Sequence, residues 1–174
     1  MSSALPTQAT LPPAVQALLD KDAIRTAIYR VARGSDRKTR SLVEAGYHPG
    51  AAANHGVYDG PAEGLYDATI APDPTAAAHH QIGHSLIEIG ADGVSARAET
   101  YCTANIVVGG EGSEWMTLLV RYVDRFEKRG GEWRIANRVV VYDGASKSGF
   151  MGRLPRENVG VRDETDYSRT VFED

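Results

Sequence analysis

A single cysteine, Cys102, is all that the sequence contains. That excludes an internal disulfide framework and any cysteine-rich zinc site. Its strand-like surroundings suit a small buried hydrophobe better than a nucleophile. No apolar run approaches the ~20 residues needed to cross a bilayer, so no membrane contact is expected. The opening stretch MSSALPTQATLPPAV lacks both a basic start and an apolar core, so it does not read as a signal peptide, and the cytoplasm is the expected compartment. Positive charge is also in short supply. The 19 Lys and Arg are interleaved with 23 Asp and Glu, giving a formal net charge of −4, which argues against a nucleic-acid partner. Phosphate-cradling motifs are missing: the glycines of Gly109-Gly110-Glu111-Gly112 fall in a hairpin turn with no helix behind them. Gly144-Ala145-Ser146 does not make a nucleophile elbow. No cofactor is expected.

What is present is ordinary globular material, 42% hydrophobic and 24% charged over 174 residues, enough for one domain with a real core. Residues 1–13, with three prolines, read as a flexible lead-in. A helix is predicted from Pro13 or Asp20 to Asp36, with Ile24, Ala27, Ile28, Val31 and Ser35 at helical spacing. Asp20 or Asp22 is the expected N-cap, and Gly34 marks a fraying last turn. A short helix follows over Lys38–Ala45. Residues 50–77 are rich in Gly, Ala, Pro and Asp, with one short helix near Pro61–Ala68, and Pro72–Ala78 reads as a loop.

From His79 onward the pattern is β. Strands are predicted over His80–Ile89, Val94–Val108, Glu114–Lys128 and Glu132–Tyr142, joined by short Gly-rich turns as successive antiparallel hairpins. A meander of that length twists and curls, and its concave face needs a cover that only the N-terminal helices can supply. The fold class is therefore α+β: a curved antiparallel sheet with helices over one deep, largely apolar pocket, spanning residues 14–143. Residues 144–174 are expected to form an extended tail over the pocket or over a neighbouring subunit.

Chemistry-bearing residues fall in a few clusters. Tyr29, Arg33 and Asp36 are spaced i, i+4, i+7 and share one side of the first helix. A carboxylate at a helix C-terminus meets an unfavourable dipole, which tends to raise its pKa toward that of a general base. The plain alternative is an exposed Asp paired with Arg33 or Arg37. In His79-His80-Gln81-Ile82-Gly83-His84, strand alternation places His80, Ile82 and His84 on one face. His80 and His84 would then stand roughly 13 Å apart, which disfavours a metal site and leaves one His working with a carboxylate. Glu99, Tyr101, Thr103 and Asn105 share a face of the next strand. Tyr101 and Asn105 would hydrogen-bond a substrate oxygen if that face lines the pocket, and are ordinary surface residues if it does not. Arg138, flanked by apolar residues, is either paired with Asp124 or Asp143 or placed as a cation near an oxyanion or leaving group.

These pieces occur in a recognisable order: Ile24-Arg25, Tyr29, Asp36-Arg37, Tyr47-His48-Pro49, Gly60-Pro61, His80-Gln81-Ile82-Gly83-His84, Ala98-Glu99-Thr100-Tyr101, Arg121 to Glu127, and Trp133-Arg134-Ile135-Ala136. The set resembles the SnoaL-like proteins of the nuclear transport factor 2-like superfamily, from about Ala23 to Tyr142. The resemblance implies a cone-shaped α+β barrel. It is similar to scytalone dehydratase, bile-acid 7α-dehydratase and hexachlorocyclohexane dehydrochlorinase, which implies an Asp–His pair at Asp36 and His80 and an Arg assisting departure at Arg138. Val31 departs from that pattern, standing where those enzymes place a Lys or Tyr. The expected activity is a cofactor-free lyase on a hydrophobic, hydroxylated aromatic or polycyclic molecule, by dehydration or retro-aldol cleavage. An isomerase or cyclase, or a ligand carrier without chemistry, is the alternative. Tyr29, Arg33, Tyr101, Asn105 and His84 are the expected substrate contacts. A homodimer or homotrimer is expected, through an outer sheet face bearing Val120, Tyr122, Val139 and Val141.

Overall fold

The computed structural model describes residues 11–72, 77–108, 114–149 and 160–172. The first helix, α1 (Pro13–Arg37), opens on Pro12 and Pro13, whose fixed φ suits a first turn that lacks N–H partners anyway. Ile24, Ala27, Ile28 and Val31 form its buried stripe. Asp20 is not the expected cap. It lies about two turns inside the helix, buried, where Oδ1 accepts from Trp133 Nε1 (2.7 Å) and Lys128 Nζ (2.8 Å). Gly34 does not mark fraying either. It is buried under α2 (Arg40–Gly46), and a Cβ on it would stand 2.7 Å from Val43 Cγ2. The helix closes in order, with Lys38 left-handed (φ 52°) and the Thr39 N–H donating back to Gly34 O at 2.8 Å.

Residues 47–61, which carry no strand signal in the sequence, are largely extended. They contain two strands, β1 (Tyr47–Asn54) and β2 (Asp59–Pro61), antiparallel to each other. The run Gly50-Ala51-Ala52-Ala53 has little strand propensity of its own, and pairing with a neighbour supplies what the sequence does not. The short helix expected near residue 61 is α3 (Ala62–Leu65), continued by a π-helical turn over Tyr66–Ile70.

The long strands follow as predicted: β3 (Ala78–Ile89), β4 (Ser95–Val108), β5 (Glu114–Arg129) and β6 (Glu132–Gly149), each antiparallel to the next. β6 runs past Tyr142 to pair Gly149 with Glu114. Sheet order is β2-β1-β6-β5-β4-β3, and β1 lies parallel to β6. The sheet is thus mixed and open, with β2 and β3 at its edges. Asp92 Oδ1 ties the β3–β4 turn by accepting from the N–H groups of Val94 and Ser95, both at 2.9 Å. Gly130 and Gly131, with φ of 60° and 89°, form the left-handed pair that a two-residue hairpin requires.

The inner face of β4 carries Ala96, Ala98, Cys102 and Ala104, all buried. Ala96, Ala98 and Cys102 pack into the core, while Ala104 and Ile106 line the cavity between the sheet and α1. Tyr122 OH donates to Cys102 Sγ at 3.4 Å, and burial pushes the thiol pKa up, so Cys102 behaves as a packed, unreactive hydrophobe. The outer-face grouping needs correction. Val120 and Tyr122 point inward and are buried, whereas Val139 and Val141 pair across from Val123 and Arg121 on the outside.

Residues 160–172 fold back onto the C-terminal end of α1. Arg37 Nη1 donates to Val161 O (2.7 Å) and pairs with Asp166 (3.2 Å). Arg162 donates to Ser35 O (2.8 Å) and Asp36 O (3.1 Å). The tail expectation for residues 150–159 lies outside the described residues.

Candidate active site

Asp36 sits in the last turn of α1 and His80 near the start of β3, which packs beside that helix. The His80 Nδ1–H donates to Asp36 Oδ1 at 2.6 Å, and the His80 backbone N–H donates to Asp36 Oδ2 at 3.0 Å. Both side chains are largely buried, at 17% and 15% exposure. Burial pushes the Asp36 carboxyl upward, but the hydrogen bonds and charge from His80 outweigh it and leave the pKa below the ordinary carboxylate value. This is the reverse of the direction expected from the helix dipole: the carboxyl beside His80 is held ionised. It fixes His80 in the Nδ1–H form, which leaves the Nε2 lone pair for chemistry.

His80 opens onto an internal cavity of about 220 Å³. Val31, Ala32 and Ser35 of α1 form one wall, with Leu65 and Ile70 closing the end. Ala104 and Ile106 of β4, Leu118 and Tyr122 of β5, and Arg138 and Tyr142 of β6 form the sheet wall. Arg138 is 1% exposed and held by both oxygens of Asp124, Nε to Oδ1 at 2.8 Å and Nη2 to Oδ2 at 2.7 Å. Its guanidinium also lies 4.2 Å from the centroid of the Tyr122 ring. Burial alone would favour losing the proton, but Asp124 holds it on, so Arg138 is a fixed cation in the cavity wall. Of the two partners open from sequence, Asp124 is the one used; Asp143 pairs with Arg121 at 2.8 Å.

The remaining expected contacts lie elsewhere. Tyr29 and Arg33 line an external cleft that reaches the other side of Asp36 and His80, and Arg33 stacks on Phe172 at 4.6 Å. A bulge between Ile82 and Ser85 breaks the β3 alternation, so His84 is exposed and stacks on Tyr101, ring centroids 4.3 Å apart. Tyr101 is 45% exposed and stands on the odd, outer face of β4. Asn105 shares that face, and its Oδ1 accepts from Thr117 Oγ1 at 2.8 Å. Tyr101, His84 and Asn105 are therefore surface groups and do not enter the cavity. Among the described residues no three His, Cys, Asp or Glu side chains converge as metal ligands would.

Sequence reasoning missed His55 and Tyr142, both in the cavity wall. His55 lies in the β1–β2 turn, held by its N–H to Tyr58 O (2.7 Å) and by Tyr142 OH donating to its carbonyl (2.7 Å). No periodicity marks it. The available signal was a histidine inside the turn sequence Asn54-His55-Gly56.

The model of the SnoaL-like domain matches residues 16–139, most of the chain. The protein belongs to the SnoaL-like family. No curated protein is significantly similar to it in sequence. Among solved structures it is similar to hexachlorocyclohexane dehydrochlorinase LinA-type3 from Novosphingobium barchaimii, at 15% identity and TM-score 0.69 over 82% of this chain and 99% of that one. A scytalone dehydratase candidate from Novosphingobium aromaticivorans gives 13% identity and TM-score 0.67 over 81% and 99%. The Kfla4162 protein from Kribbella flavida gives 16% and 0.67 over 75% and 95%. At these identities the likeness speaks for the fold. No described helix of this SnoaL-like protein is long and apolar enough to cross a membrane.

Proposed function

We propose that this SnoaL-like protein is a cofactor-independent lyase acting on a hydrophobic, hydroxylated aromatic or polycyclic molecule. The observation that carries the reading is the Asp36–His80 pair opening onto a mostly apolar cavity that also holds the buried Arg138 cation. His80 Nε2 takes a proton from a carbon or a hydroxyl of the substrate, and ionised Asp36 stabilises the imidazolium that results. Arg138 faces the oxygen that gains negative charge. In a dehydration His80 takes a proton from carbon, and the C–H electron pair forms the C=C bond as the C–O bond breaks. The His80 imidazolium returns the proton to the leaving oxygen, which departs as water. In a retro-aldol cleavage the hydroxyl proton goes to His80, and the alkoxide becomes the C=O of the departing aldehyde. The C–C electron pair passes to an adjoining carbonyl of the substrate as an enolate facing Arg138, and the His80 imidazolium returns the proton to it. Both use the same base and cation. Two structural neighbours carry the names of eliminating enzymes, a dehydrochlorinase and a dehydratase, which supports the class.

The test is a thermal-shift screen of hydroxylated aromatics and steroids against wild type, Asp36→Asn and His80→Ala, followed by product analysis. A compound that stabilises all three but is consumed only by wild type supports the reading. Binding by all three with no consumption points to a carrier instead.

Assembly as a homodimer or homotrimer through the outer sheet face belongs to the same proposal. Leu86, Tyr101, Val123 and Val139 are exposed there, a grouping of apolar side chains of the kind that marks an interface. Light scattering that gives a monomer at all concentrations would contradict it.

A further inference from the structure

We infer that His55 is a second working histidine of the cavity: a neutral imidazole whose Nδ1–H is donated to the substrate oxygen, with its tautomer fixed by Tyr47. The inference rests on the lyase reading for the identity of the oxygen, but not for the state of the ring.

Topology places the two histidines on different sides of the cavity. His80 comes from β3, one edge of the sheet, and His55 from the turn joining β1 to β2 at the other edge. Curling brings both edges to the same cavity. A substrate held between them would meet a base on one side and a second group on the other.

The surroundings of His55 specify what that second group can do. Tyr47 OH lies 3.4 Å from His55 Nε2. Burial pushes the Tyr47 phenol up to about 12, and the Arg138 guanidinium lies 5.9 Å from the centroid of its ring. The phenol proton is thus kept and directed away from Arg138, toward Nε2, which must accept. A neutral ring that accepts at Nε2 carries its proton on Nδ1. Among the described residues Nδ1 has no hydrogen-bond partner. The chain of contacts runs from Asp124 through Arg138 and Tyr47 to His55, so a carboxylate anchor stands behind this histidine as behind His80, at longer range.

His55 is also kept neutral. Desolvation is the main cause, with the Arg138 cation and His80 adding to it, and its pKa is pushed down to about 3. Besides the phenols of Tyr47, Tyr58, Tyr122 and Tyr142, its hairpin carries His48 and Asp59, and β6 carries Asp143. Asp59 accepts from Asn54 Nδ2 at 3.0 Å, and Asp143 pairs with Arg121. Burial raises Tyr122 and Tyr142, so neither of these phenols supplies an anion. A neutral imidazole donates a hydrogen bond without giving up its proton, so it polarises an oxygen through the reaction while His80 handles the proton. The turn holds the ring in place: Gly56 is left-handed (φ 73°), and a Cβ on it would stand 3.0 Å from the Tyr142 ring.

The experiment is NMR on the full chain carrying isotope-labelled histidine, free and with 1-naphthol as a hydroxylated aromatic probe. The expected result is an Nδ1–H tautomer for His55 that stays neutral well below the ordinary histidine range, with its proton resonance displaced by the probe. Tyr47→Phe should move the ring toward the Nε2–H form. Asn places an amide near the Nδ1 position and should keep probe affinity within about threefold, whereas His55→Leu should weaken it about tenfold, the worth of one hydrogen bond. An Nε2–H ring, titration near pH 6.5, an Nδ1–H resonance indifferent to the probe, or a His55→Leu variant that binds as wild type would each overturn the inference. Retained turnover in His80→Ala would overturn the lyase mechanism while leaving the tautomer result standing, so the two failures are distinguishable.

Discussion

At the scale of single residues, the cavity is organised by two carboxylates, each committed to one partner. Asp124 holds Arg138, and both side chains are cut off from solvent. Replacing Asp124 by Ala leaves a buried cation unpaired, which should destabilise the fold by about 3–5 kcal/mol; urea unfolding measures it. Asp36 holds His80. Its folded pKa lies below the ordinary value, so its contribution to stability is present above about pH 3.9 and is lost as pH falls through the lowered folded value. His55 acts in a higher window. Its folded pKa of about 3 lies below its unfolded value, so the unfolded chain binds more protons between roughly pH 6.5 and that value. Stability should therefore fall as pH drops through this range, and His55→Asn should flatten that part of the profile. Thermal melts of both proteins from pH 7 to pH 4 check it, and parallel curves would contradict the account.

At the scale of elements, close approach decides more than propensity. Gly34→Ala forces a Cβ to 2.7 Å from Val43 Cγ2 and 2.9 Å from the Val43 nitrogen, so α1 and α2 must separate. The expected loss is about 1–3 kcal/mol, read by chemical denaturation. The long strands were legible because alternation and Gly-rich turns repeat over many residues, and α1 because its apolar stripe is regular. The placement of Asp36, His80 and Arg138 was legible because each sits at a definable point on such an element and at a motif position of the family resemblance. β1 was not legible, because a run of alanines takes its strand form from β6. His84 was misplaced because the bulge after Ile82 shifts the face of everything that follows by one residue. Tyr101 and Asn105 were left open by the sequence, since alternation gives two faces without saying which is inner. His55 escaped notice because a turn has no period to read.

At the scale of the whole molecule, the cavity exists because the sheet is open and curled. Edge strand β3 packs against α1, the β1–β2 turn reaches the same cavity from the other edge of the sheet, and Ala104 of β4 leaves the wall between them thin. Residues 160–172 brace the arrangement from outside through Arg37, Asp166 and the Arg162 bonds to the last carbonyls of α1. A chain ending at Gly149 should keep the sheet but lose that brace and melt at lower temperature, whereas an unchanged melting temperature would contradict the bracing role. The central claim is that the Asp36–His80 pair performs acid–base chemistry inside this cavity. The most direct measurement is the initial rate of wild type and His80→Ala on a compound that wild type consumes, with circular dichroism to show that the variant is folded. The account predicts a folded His80→Ala with kcat lower by roughly 10²–10⁴-fold. A folded variant that turns the compound over at the wild-type rate would contradict it.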